Sequence, residues 1–289
     1  MRKEFSAKEY KEALKSLGVA YLGSYKTNPK IYKCKKVGEI VVYSVALAPA
    51  DMSGYNVCPC STYCKSLCLN FSGRNRGDIL MRGFDGSIIN RARIKKTKLF
   101  FEDRDTFLNL MYYEIRKNKR YAERIKAKGF AVRINCMSDL DPELFRYKGE
   151  QTNILQEFDT VPFYDYTKVP AHLKLQEKYD NYTVVLSYTG HNWLTCERYL
   201  ESGGNVAVVF DMTPKDFPVA FAGYPVLDGT QTDLRYLDPS GHIVALEFHK
   251  PATLYTTGHY IKQQTAFVVE ADDPRNTYAF KIARQGIDE

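Results

Sequence analysis

The order of apolar and polar residues divides the chain into segments of two kinds. Residues 6–17 read as a short amphipathic helix, with Ser6 as its N-cap and Gly18 ending it. Residues 104–129 read as a longer one, with Phe107, Leu108, Met111, Ile115, Ala122 and Ile125 on one face and Gly129 at its close. The run EIVVYSVALAP (39–49) is instead rich in β-branched and apolar residues and stops at Pro49, which predicts a buried strand. A regular rhythm of strand-like runs follows at 130–136, 162–167, 182–188, 205–211, 224–229 and 242–248. Helix-compatible stretches separate several of them: PELFRYKGEQTNILQEF, PAHLKLQEKYD and NWLTCERYLES.

Strands that alternate with helices imply βαβ units and a parallel sheet. Near-continuous apolar strands imply that both faces are covered. The expected fold is α/β, a single domain built as an open or closed β/α barrel of the TIM type, with a flat doubly wound sheet as the alternative. Residues 38–250 would form the barrel-like core, 1–37 an N-terminal helical extension and 251–289 a C-terminal one. No linker rich in Gly, Ser or Pro and no internal repeat divides the chain.

Composition narrows this only modestly. The 289 residues are 44% hydrophobic and 26% charged, an ordinary globular balance that needs no covalent staple. No apolar run approaches the length of a membrane-spanning helix. The charged N-terminus lacks the apolar core of a signal peptide, so a cytoplasmic protein is expected. The net charge of +7 gathers in RARIKKTK (91–98) and RKNKRYAERIKAK (116–128). These segments read as solvated helix faces; a groove for nucleic acid or another polyanion is the sharper alternative.

The chemistry-bearing stretch is NVCPCSTYCKSLCLN (56–70), which holds four of the seven cysteines within eleven residues, directly after the first strand. An odd cysteine count and a reducing compartment argue against a disulfide knot. Zinc usually takes paired knuckles separated by a longer spacer. Cys58, Cys60, Cys64 and Cys68 have spacings of one, three and three residues and no second knuckle. A [4Fe–4S] cluster, commonly held by thiolates crowded on one loop, fits better, through either C-x5-C-x3-C (Cys58, Cys64, Cys68) or C-x3-C-x3-C (Cys60, Cys64, Cys68).

β/α folds place their sites at the C-terminal ends of the strands, and polar residues collect there. Asn135, Ser138 and Asp139 follow the second strand. Tyr164, Asp165, Tyr166 and Lys168 close the third, and Ser187 the fourth. Asp228, Asp233 and Arg235 follow the sixth, and His249 and Lys250 the last. In an enzyme, Tyr164, Tyr166 and Lys168 would carry the chemistry, with Tyr164 or Tyr166 donating a proton or hydrogen atom. Asn135, Ser138, Asp139, Asp165, Ser187, Asp228, Asp233 and Arg235 would bind substrate. Because an unpaired carboxylate is costly to bury, Asp165 is expected to face the mouth or to pair with Lys168 or Arg133.

Two resemblances add to this. The order of strand, cysteine loop and further β/α units is similar to the radical S-adenosylmethionine enzymes. The C-x3-C-x2-C spacing of those enzymes is absent, and SDLD stands where they carry Gly-Gly-Glu. More closely, NVCPCSTYCKSLCLNFSGR, RARIKKTKLFFEDRDTFLNLMYYEI, VRINCMSDL, FYDYTK, GGNVAVVF and GYPVLDGTQTDLRYLDPSGHIVAL resemble the bacteriophage "gene 88" protein family over about residues 40–250. That resemblance implies a phage origin and an iron–sulfur protein with Cys58, Cys64 and Cys68 as ligands and Cys60 as an extra. The leading expectation is an iron–sulfur enzyme acting on a nucleotide, nucleic acid or modified base, with S-adenosylmethionine as a possible second cofactor. One alternative is a nucleic-acid-processing or replication-initiation protein with a tyrosine nucleophile and structural zinc. Its histidines, at 172, 191, 242, 249 and 259, form no H-x-H pair. The other is a non-catalytic phage protein binding a host factor.

Overall fold

The computed structural model describes residues 4–26, 29–37, 39–249, 251 and 266–279. Lys250 and most of the C-terminal extension lie outside the described residues. Helix α1 (Ala7–Leu17) has the start and stop its sequence dictates. The Ser6 hydroxyl accepts from the Glu9 amide at 3.3 Å while the Glu9 carboxylate accepts from the Ser6 amide at 2.8 Å, a reciprocal capping box. Gly18 ends the helix at φ 65°. Helix α2 (Pro29–Val37) leads into strand β1 (Ile40–Ser44). The cysteine loop then runs to α3 (Gly73–Arg82), α4 (Ile88–Glu102) and α5 (Arg104–Arg124).

Phe107, Leu108, Met111, Ile115 and Ala122 of α5 are buried, as their spacing predicts, but Ile125 is 38% exposed. The helix ends earlier than its sequence suggests. Lys126 takes a positive φ of 53° and turns the chain. Gly129 does not close the helix; it opens strand β2 (Gly129–Arg133), paired with Ile40.

The remaining elements alternate: α6 (Ile154–Glu157), β3 (Phe163–Thr167), α7 (Leu175–Lys178), β4 (Tyr182–Ser187), α8 (Trp193–Glu201) and β5 (Asn205–Phe210). Then come β6 (Ala220–Phe221), β7 (Tyr224–Asp228), β8 (Ile243–Glu247), β9 (Val268–Val269) and β10 (Asn276–Thr277). They form one ten-stranded sheet in the order β1-β2-β3-β4-β5-β8-β7-β6-β10, with β9 on β5. Every pair is parallel except the two that β6 makes with β7 and β10. Among the described residues β1 and β10 are not paired to each other, so the hydrogen-bonded sheet is open. The C-terminal extension contributes two of its short strands.

The first five strands lie in chain order, and α5 to α8 pack on one face. Tyr43, Val132, Phe163, Tyr182 and Val184 share a core with α1, α5 and α6, and Leu186, Val206 and Val208 with Cys196 and Leu200 of α8. The second face, with Val42, Ala131, Arg133, Tyr164, Tyr166 and Val185, is covered near β1 and β3 by Ile31 and Cys34 of α2 and by Leu234 and Tyr236 after β7. No helix among the described residues is long and apolar enough to cross a membrane.

One buried carboxylate joins the N-terminal segment to this core. Glu114 of α5 accepts from Tyr10 Oη (2.8 Å), Tyr43 Oη (2.7 Å) and the amides of Leu22 (2.9 Å) and Gly23 (2.7 Å). Burial pushes its pKa up, and these four donors oppose that. Truncating it strands four buried donors at once. Glu114→Ala is expected to cost about 4 kcal/mol, several times a typical surface change. Urea unfolding, with loss of the α1 contacts seen as faster amide exchange in residues 7–23, checks this.

Candidate functional site

The C-terminal ends of β1, β2 and β3 meet beneath the cysteine loop, and Asp139 is the junction. Its amide donates to Val57 O at 2.7 Å, directly before Cys58. Its carboxylate accepts from Thr167 Oγ1 at 2.7 Å and from the Lys168 amide at 2.7 Å, and His172 Nδ1 lies 3.3 Å away. Asn135 shapes the turn that presents it: its Oδ1 accepts from Ser138 Oγ (2.7 Å) and the Leu140 amide (3.1 Å).

The loop itself is built from short 3-10 turns at Tyr63–Lys65 and Leu69–Phe71. Cys58 Sγ accepts from the Ala50 amide at 3.4 Å, and Cys68 Sγ from the Asn70 amide at 3.4 Å. Burial pushes the Cys58 thiol up to about 11, with Cys68 and Asp139 adding to the rise and Lys168 opposing it. Burial raises Cys68 as well; Cys64 adds to that rise, while Lys168 and Arg93 oppose it. Cys58, Cys64 and Cys68 are thus electrostatic neighbours flanked by two cations. Cys64 packs with Leu67, Phe248 and Phe267, so the loop also reaches the ends of β5 and β8. A cleft of about 950 Å³ opens there, lined by Asp211, Asp216, Glu247, Phe248 and Tyr278. Cys58, Cys60, Cys64 and Cys68 are all half-buried.

Among the described residues no three His, Cys, Asp or Glu side chains converge on one ion-sized point. The donor set nonetheless suits a thiolate-held group. Three neighbouring sulfurs are present, and two, Cys58 and Cys68, already accept backbone N–H bonds; Lys168 opposes the rise of both these thiols and Arg93 that of Cys68. Binding would have to release the protons that burial retains on the free thiols.

Segment 91–98 is solvated along one side only, where Arg91, Lys95 and Lys98 are exposed. Lys96 and Thr97 are buried, because α4 lies against α5 and the loop. Burial lowers the Lys96 ammonium to about 8. Arg93 hydrogen-bonds Asn70 Oδ1. An amide network continues from there, with Asn70 Nδ2 donating to Asn90 Oδ1 at 3.2 Å and Asn75 Nδ2 to the same oxygen at 2.8 Å. Arg116, from the second basic segment, pairs with Glu4 (3.1 Å) and Glu157 (2.8 Å).

The expected orientation of Asp165 is corrected. It lies on the helix-side face with Phe163, away from Lys168 and the second face. Among the described residues it makes no ion pair, although Arg133 acts on it at longer range. It accepts from the Asn135 amide (2.8 Å), Asn135 Nδ2 (3.3 Å) and Tyr182 Oη (3.4 Å). Burial pushes its pKa from 3.8 up to about 7, against the smaller effects of Arg133 and Asn135. It works as a brace for the β2–β3 turn. The Lys168 ammonium acts electrostatically on Cys58 and Cys68.

On the second face Tyr164, Tyr166, Asp233 and Arg235 come together with two residues from elsewhere in the chain, Lys30 and Arg133. Asp233 pairs with Arg133 at 2.6 Å and Lys30 at 3.1 Å, and Tyr164 Oη lies 3.4 Å from it. Burial alone would raise Asp233, but Arg133, Lys30 and Arg235 outweigh it and hold the carboxyl down at about 2. Ser187 and Asp228 stand apart. The Ser187 carbonyl accepts from Asn192 at 3.1 Å, and Asp228 closes its own turn onto Thr230 (2.8 Å) and Gln231 (2.7 Å). Lys30, Asn75 and Asn90 carried no motif in the sequence, and Arg93 was visible there only as one charge of the basic run 91–98.

An open, mostly parallel α/β sheet with a cysteine loop over its strand ends defines the class. Within it, the chain belongs to the Gene product 88 family, whose model matches residues 15–269. No curated protein and no solved structure matches.

The two buried aspartates impose opposite pH dependences. Between about pH 4 and 7 the folded chain holds the Asp165 proton that the unfolded chain has lost, so this group's contribution falls as pH rises through that window, by on the order of 4 kcal/mol. Asp165→Asn should flatten the fall in Tm across it. Asp233 is stabilising above pH 4, and its contribution disappears as pH drops toward 2. Asp233→Asn should lower Tm at neutral pH and narrow the difference from wild type as the solution is acidified.

Proposed function

We propose that this chain is a phage-type iron–sulfur protein, with Cys58, Cys64 and Cys68 holding a [4Fe–4S] cluster at the strand ends of a β/α-barrel-like scaffold, and that it is an enzyme. The observation that carries the reading is the environment of the loop. Two of the three neighbouring thiols, Cys58 and Cys68, are bonded by backbone amides and feel the Lys168 ammonium, Cys68 the Arg93 guanidinium as well; these cations would offset the negative charge that thiolate ligation brings in. The cluster would supply the redox chemistry. The chain's own residues would hold and screen it: Asp139 anchors the loop, and Leu67, Phe248 and Phe267 keep water from its Cys64 side. Ligation by three cysteines leaves one iron open to a substrate or a further cofactor, which is where an S-adenosylmethionine-like reaction would begin. The substrate would enter at the same edge, beside Lys168 and the cleft at β5 and β8. A nucleotide or modified base is the class in view, with the cytoplasm of the host as the setting. A structural zinc at the same thiols is the second reading, and the full set of cysteines on one loop is what favours it.

Anaerobically purified protein is expected to be brown, with broad visible charge-transfer absorption and iron and acid-labile sulfide in equal amounts. Cys58→Ser, Cys64→Ser and Cys68→Ser should each lose the chromophore while Cys60→Ser keeps it. Stoichiometric zinc without labile sulfide would sink the proposal. Lys168→Met should leave the fold intact and shift the cluster's reduction potential downward, since removing a nearby cation disfavours the more negative reduced state.

A further inference from the structure

Helix α2 presents cations to solvent that no acid pairs with. Its nine residues, PKIYKCKKV, hold four lysines and no acid. Like charges three and four residues apart oppose a helix this short, which has little stability of its own. The helix dipole favours Lys35 and Lys36 in the last turn, and Lys35 donates to Tyr121 Oη at 2.7 Å. Lys30 pairs with Asp233. Neither the dipole nor a pairing accounts for Lys33.

A cleft joins Lys33 to cations from other segments. It has a volume of about 410 Å³ and is lined by Lys26, Pro29, Tyr32, Lys33, Lys36 and Arg74. Among the described residues no acid lines it. All four cations are exposed, and none of their side chains makes a hydrogen bond or an ion pair. Lys26 precedes α2 and Arg74 opens α3, so the charge is gathered from three parts of the chain. Lys33 acts on Asp228 from a distance, but that carboxylate is engaged with Thr230 and Gln231. Four unpaired cations around one concavity concentrate anions there.

The aromatic residues among them narrow the class of anion. The Lys36 ammonium lies 5.3 Å from the centre of the Tyr32 ring. Tyr32 stacks with Tyr25 at 6.4 Å, and Tyr25 with Tyr121 at 5.1 Å. Lys26 stands 5.4 Å from the Tyr25 ring. Cations interleaved with stacked rings suit a single nucleic-acid strand, whose phosphates meet the cations and whose bases meet ring faces. A nine-residue helix is about 14 Å long, enough to run beside several phosphates. A membrane surface fits less well, because among the described residues from 24 to 37 no large apolar side chain is exposed to enter a bilayer.

We propose that the face of α2 bearing Lys33 and Lys36, with Lys26, Arg74 and Tyr32, is a binding surface for single-stranded nucleic acid. The surface is independent of what the cysteine loop holds.

The test uses the full chain and a fluorescein-labelled oligothymidylate of about 20 nucleotides, longer than the strand one such domain covers. Fluorescence anisotropy is read over a series of chloride concentrations. Binding should weaken steeply with salt, with a logarithmic slope of about −3 for four phosphate contacts. Lys33→Ala with Lys36→Ala should weaken binding at least about tenfold at low salt and make the slope shallower by about 1.4. Tyr32→Leu keeps bulk and loses the ring; it should weaken binding about tenfold and leave the slope unchanged. Lys95→Ala with Lys98→Ala, on the exposed side of α4, should bind as wild type does. Each variant is checked for an unchanged Tm; if Tyr32→Leu lowers it, the lysine pair and the competition below decide. The proposal is overturned if the oligonucleotide does not bind, or if Lys33→Ala with Lys36→Ala leaves affinity and slope as they were. It is overturned equally if the Lys95 and Lys98 changes abolish binding. Competition by polyglutamate as strong as that of unlabelled oligothymidylate would overturn it by showing that charge alone is recognised. Binding to phosphatidylserine vesicles with none to the oligonucleotide would assign the surface to a membrane instead.

Discussion

Asp139 is the constraint on which the strand-end site depends. Its amide holds the chain at Val57, and its carboxylate holds the chain at Thr167 and Lys168. One residue therefore ties the start of the cysteine loop to the ends of β2 and β3. Parallel strands joined only by their ladders leave the loops at their ends without a common frame. Here one residue, donating from its amide to one segment and accepting at its carboxylate from another, provides one, and hydrogen bonds to a carboxylate are the stronger kind. The loop's sulfurs and the Lys168 ammonium take their relative positions from that frame.

Three other buried carboxylates show how environment assigns a role to one chemical group. Glu114 is surrounded by four donors and acts as a mechanical joint between α5, α1 and β1. Asp165 has donors on one side and apolar packing on the other, and retains its proton up to about pH 7. Asp233 sits among three cations and stays ionised to about pH 2. The first two lie on the helix side of the sheet, where the core is apolar and no cation pairs with them. The third lies on the second face, where Arg133, Lys30 and Arg235 act on it. The alternation of side chains along β3 separates these environments: Asp165 points one way and Tyr164 and Tyr166 the other.

Much of this was legible from residue order. The αL stop at Gly18, the capping box at Ser6 and the seven long strands follow from local pattern, because apolar runs and capping residues act over a few positions. The crowding of Cys58, Cys60, Cys64 and Cys68 is visible for the same reason. The basic surface of α4 is present at Arg91, Lys95 and Lys98, but its enclosed side was not legible, because a sequence shows charge and not burial. Lys96 and Arg93 are enclosed by α5, Tyr21 and Asn70, which come from distant parts of the chain. The end of α5 was misplaced because Lys126 adopts a positive φ that is set by the need to enter β2, not by its own preference.

Local chemistry by itself determined the α/β class, the sequential strands and the position of the cysteine loop after the first of them. It could also place polar residues at strand ends. Tertiary structure alone decided which of them meet. Asp139 and Lys168 joined the cysteines, Asp233, Arg235 and Tyr166 joined Lys30 and Arg133 on the opposite face, and Ser187 and Asp228 joined neither. The reason is that a strand's period fixes which residues share a face, while the sheet's order and the elements packed on each face fix what that face meets. Lys30 and Arg133 lie about a hundred residues from their carboxylate or further, and no short-range pattern encodes such a pairing.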